Sequence, residues 1–188
     1  MLLNTSLIGQ TAQGYDLAHG QAWEAALAAA LTAQGLRAYQ PKQIFAAPRT
    51  PADELAFWAK YPDKAYLRPY QLDLVVRSGL GRFNLEVKAL TGAAFRYDPV
   101  HIGCVEKWDA KRWLCDQALK LSQGSMPAVP VHAIALINRD SGEARLCHAD
   151  KRLWVQRPAL CSQGTDYAVE QRYLTPLSDW VENIRAET

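Results

Sequence analysis

Residues 68–90 read RPYQLDLVVRSGLGRFNLEVKAL. Two short strands, YQLDLVV and RFNLEVK, flank a turn around Ser78-Gly79-Leu80-Gly81. Side chains alternate faces along a strand. Leu72, Leu74 and Val76 therefore share one face of the first strand, with Asp73 on the other. Phe83, Leu85 and Val87 share a face of the second, with Glu86 and Lys88 opposite. A turn centred on Gly79 and Leu80 sets Asp73 directly across from Glu86. Two carboxylates in a cross-strand pair repel, so the pairing implies a cation between them. Oxygen ligands on a rigid strand edge suit Mg²⁺, with Mn²⁺ able to substitute.

Lys88 adds a fixed positive charge on the same face as Glu86. An acid, then acid-x-Lys on the next strand, suits phosphodiester hydrolysis. A metal holds phosphate oxygens and activates water, and a lysine offsets charge. The same residues would equally decorate an ordinary amphipathic hairpin with a solvated polar face. Asp73 followed by Glu86-Val87-Lys88 resembles the PD-(D/E)xK nuclease superfamily, although Leu72 stands where that family's proline would. The resemblance implies an α/β fold with a restriction-endonuclease-like αβββαβ core, a mixed central sheet flanked by helices. It implies Asp73, Glu86 and the Val87 carbonyl as metal ligands and Lys88 as a catalytic residue.

Upstream, the Ala- and Leu-rich stretch from Leu17 predicts a helix with Asp16 as N-cap and Gly35 just past its end. Glu24 lies seven residues from both Leu17 and Leu31, so it falls on the apolar stripe with Leu27 and Ala28. A carboxylate there is costly unless paired. The stretch from Gly20 to Gly35 is similar to the first helix of Holliday-junction resolvases, and that likeness implies Glu24 as a further metal-binding and catalytic acid. The alternative is a glutamate at the stripe's edge, reaching solvent or an arginine.

A chain of 188 residues predicts a single domain. The core spans about residues 16–137, with a helical insertion at about 46–69 and a C-terminal extension at about 151–188. Within the insertion, Trp58, Lys60, Lys64 and Arg68 are candidates for backbone contact. The net charge of +2 permits nucleic acid as a partner without demanding it. Four cysteines show no paired zinc spacing and imply reduced thiols in a cytoplasmic setting. Residues 1–10 lack a signal-peptide pattern, and no run is long and apolar enough for a membrane span.

Downstream, Thr91, Arg96 and Tyr97 lie in a loop past Lys88, where a phosphate would pass. VHIGCV predicts a short strand; its His101 suits either proton transfer or a hydrogen-bonded structural role. Residues 106–123 predict a second helix, with Lys107, Lys111, Arg112 and Gln117 as nucleic-acid-binding candidates. Gln117 resembles a site glutamine of the RecB-like branch, but Leu121 stands where that branch has tyrosine, so a core-edge role is equally open. VPVHAIALI predicts a buried strand and EARLCHA its hairpin partner. The resemblance as a whole implies a Mg²⁺-dependent DNA endonuclease, working as a homodimer if it cuts both strands. A catalytically inactive nucleic-acid-binding or assembly protein, and an end-processing exonuclease, are the alternatives.

Overall fold

The computed structural model describes residues 2–3, 17–40, 73–105, 108–109, 132–160 and 164–186. Helix α1 runs Leu17–Ala33 and strand β1 Arg37–Tyr39. Gly35 ends the helix at φ 82°, with its N–H on Thr32 and that of Leu36 on Leu31, a left-handed cap that glycine adopts freely. Strands β2 (Leu74–Ser78) and β3 (Gly81–Leu90) follow, then a one-turn helix α2 (Gly92–Phe95) and strand β4 (Val100–Cys104). Beyond these come β5 (Ala133–Asn138), β6 (Ala144–His148), β7 (Trp154–Pro158), β8 (Thr165–Val169), β9 (Thr175–Pro176) and α3 (Leu177–Ala186).

The chain is mixed α/β. A six-stranded sheet has the order β1-β2-β3-β5-β6-β9. Its pivot is β3. Residues 81–85 pair antiparallel with β2, and residues 85–90 pair parallel with β5. The ten-residue strand thus changes partners near its middle. All six residues of β5 are buried, as an apolar run covered on both faces requires.

Alternation along the strands divides two cores. On one face, Leu74, Val76, Leu85, Ala135 and Ile137 meet Trp23, Leu27 and Leu31 of α1 and Trp180, Val181 and Ile184 of α3. On the other, Ile134, Leu136 and Cys147 meet Phe95, Val100, Ile102, Trp108, Trp154 and Tyr167. A second sheet of order β4-β8-β7 supplies much of this cover. Trp154 stacks at a tilt between Trp108 and Tyr167, with centroids 5.1 and 5.3 Å away.

One expectation changes here. The VHIGCV strand does not extend the main sheet; it pairs with β8 in the second one. Among the described residues, that face of the main sheet is covered by strands as well as by helix. The C-terminal segment takes part in both sheets. β8 and β9 join the two sheets, and α3 closes the first core. The apolar residues 177, 180, 181 and 184 recur at helical spacing, which explains the helix's buried stripe.

Burial pushes the Cys147 thiol up to about 12. A neutral thiol in the fold and an ionising one in the unfolded chain mean that the unfolded state binds fewer protons above pH ~9. Stability is therefore lost as pH rises from about 9 towards 12, with a slope of up to ~1.4 kcal/mol per pH unit. Urea unfolding at pH 8 and 10.5 should show this loss, and Cys147→Ala should remove its share. An identical pH slope in the variant would refute the assignment.

Candidate active site on the pivot strand

The β2–β3 hairpin turns on Gly79-Leu80, with Ser78 paired to Gly81 and Leu74 to Leu85. Asp73 stands one residue before β2, just outside its paired residues. The Asp73 Oδ2 accepts the Val87 N–H at 2.8 Å, which ties the aspartate to β3 just where the ladder with β2 ends. Glu86 is buried, and its Oε1 lies 3.9 Å from Lys88 Nζ. The Lys88 side chain is 13% exposed. A carboxylate this buried needs compensating charge or hydrogen bonds, and Lys88 contributes positive charge.

The second sheet roofs this pair. Gly103 of β4 adopts φ 114°, and a Cβ there would stand 3.2 Å from Lys88 Nζ and 3.4 Å from its Cε. A β-bulge between His101 and Gly103 accompanies the approach. The sequence gives no sign of this contact, because nothing local reveals which glycine faces a lysine from another sheet. Gly103→Ala should push the Lys88 ammonium aside and add about 1–3 kcal/mol of backbone strain. Thermal melting together with a cleavage assay checks both effects. A variant with unaltered stability and activity would refute the close approach.

Glu24 is half-buried at the margin of the α1 stripe, where its Oε2 accepts a hydrogen bond from Gln40 Nε2 at 2.9 Å. Gln40 follows Tyr39, the partner of Val75, so it marks the Asp73 end of β2. Helix α1 packs on the face opposite to Glu86 and Lys88. Glu24 thus approaches from the other layer. Among the described residues, no three or more His, Cys, Asp or Glu side chains gather where they could hold a metal ion. The Asp73–Glu86 pair suits a hard cation by its oxygen chemistry, and further ligands would have to come from elsewhere than a third gathered side chain.

Arg96 is exposed at the C-terminus of α2, and Tyr97 beside it is 48% exposed. Thr91 accepts the Ala94 N–H as N-cap of that helix. His101 Nδ1 lies 3.0 Å from Asp166 Oδ2, so it joins β4 to β8. Lys107, Lys111, Arg112 and Gln117 fall outside the described residues, as do Trp58, Lys60, Lys64 and Arg68. No helix among the described residues is long and apolar enough to cross a membrane. No protein-family model, curated protein or solved structure matches the chain.

Proposed function

We propose that the chain is a Mg²⁺-dependent phosphodiester hydrolase acting on DNA, with a restriction-endonuclease-like core. The observation that carries the reading is that Asp73 bonds to β3 at the Val87 N–H, between Glu86 and Lys88, whose charged groups approach to 3.9 Å where β3 passes from β2 to β5. Asp73 and Glu86 would hold the cation, which supplies Lewis-acid charge when bound. Lys88 holds positive charge on the same face and offsets the negative charge that builds on a phosphate oxygen. Burial of the Glu86–Lys88 pair strengthens that charge by excluding water. Two copies acting together would cut both strands of a duplex.

A second reading has its own support. Glu86 is only 1% exposed, and Glu24 lies in another layer. Both facts suit a nucleic-acid-binding protein that keeps the fold without the chemistry. The deciding experiment is cleavage of duplex, single-stranded and branched DNA with Mg²⁺ or Mn²⁺. Metal-dependent cleavage supports the hydrolase. Binding without cleavage on every substrate supports the binder.

A further inference from the structure

On the face of the sheet that carries Asp73, four residues along β2, stands Arg77. Its cross-strand partner is Arg37 of β1. Like charges directly opposite each other destabilise a strand pair. Both side chains are exposed, and among the described residues neither guanidinium has a carboxylate partner. Tyr39 stands two residues beyond Arg37 and diagonal to Arg77. Each guanidinium carbon is 6.0 Å from the centroid of its ring. One aromatic ring thus has two cations beside it, each near the outer limit of cation–π attraction. In the backbone register Arg77 is also the partner of Arg82, so arginine occupies three adjacent strands in a single row.

We infer that Arg37, Tyr39 and Arg77 form an anchor for a nucleic-acid strand, in which the guanidinium groups hold phosphates and the tyrosine ring adjoins a base. Arginine forks match phosphate oxygens, and aromatic rings accept any base by stacking. The anchor's place relative to the reacting bond rests on the hydrolase reading. Four residues of strand separate Arg77 from Asp73, or about 13 Å.

The test is fluorescence anisotropy of a labelled mixed-sequence single strand with metal chelated, for the wild type, Arg37→Ala/Arg77→Ala and Tyr39→Ala. The arginine pair variant should bind roughly tenfold or more weakly, and its salt slope should fall by about 1.4. Tyr39→Ala should weaken binding by a similar factor. Arg37→Lys/Arg77→Lys keeps the charge and should recover most of the salt slope. A melting temperature no lower than that of the wild type establishes that each variant keeps the fold. Wild-type affinity in the double alanine variant overturns the anchor, even if the wild type cleaves DNA. Absence of oligonucleotide binding by the wild type overturns it too, as does pair-dependent binding to anionic vesicles alone. Pair-dependent binding by a wild type that never cleaves upholds the anchor and rejects the hydrolase.

Discussion

Lys88→Ala is expected to reduce metal-dependent cleavage by at least ~10²–10³-fold, the size of effect that follows removal of one preorganised charge-stabilising group. The variant also deprives Glu86, whose side chain is 2% exposed, of a cation 3.9 Å away. Breaking a partly buried pair is itself destabilising, so a loss of activity alone does not separate chemistry from folding. A Lys88→Ala/Glu86→Met double variant removes both charges. Its melting temperature should rise back towards that of the wild type while cleavage stays lost, because both the positive charge and a proposed metal ligand are gone. Lys88→Met with Glu86 intact supplies the complementary case: it retains the apolar stem without the ammonium. Cleavage at wild-type rate in Lys88→Met would remove Lys88 from the site. Asp73→Ala should abolish cleavage as well, since it removes both a carboxylate and the acceptor of the Val87 N–H.

Trp180→Ala is expected to cost about 3–5 kcal/mol of stability, the range for deleting a large buried aromatic side chain. Trp180 is 8% exposed, and its ring meets Phe83 edge-on at 5.7 Å. Phe83 belongs to β3, the strand that also bears Glu86 and Lys88. The C-terminal helix therefore braces the far side of the strand that carries the candidate site. In a chain of this length the loss should lower the melting temperature by roughly 6–20 °C. Urea unfolding gives the free energy directly. A change under about 1 kcal/mol would mean that α3 docks without entering the core.

The hairpin was legible because its information is local. Alternation assigned Leu74, Val76, Leu85 and Val87 to one face, and a two-residue turn fixed the register from Ser78–Gly81 to Leu74–Leu85. The apolar run of β5, Ala133 to Ile137, and its hairpin with β6 were legible for the same reason. The second sheet was not. β4 and β8 lie far apart in the chain, and neither carries a pattern that names its partner. Tail residues such as Tyr167 and Val169 read as an indistinct segment until β8 is set against β4 and β7. The Arg37–Arg77 row was hidden in a similar way. It exists only once β1 is paired with β2, and residues 40–73 separate the two strands. Glu24 shows a limit of a different kind. A helical wheel puts it near the stripe, but only the fold shows that its carboxylate meets Gln40.

The six-stranded sheet has a property that bears on how copies of the chain can meet. Its outermost described strands are β1 with three residues and β9 with two, the first bearing Arg37 and the second ending in Pro176. Short, charged or proline-bearing borders offer little backbone for another molecule to continue the ladder, and they guard against edge-to-edge aggregation. Neither of these two borders is therefore a good place for a second copy to extend the sheet.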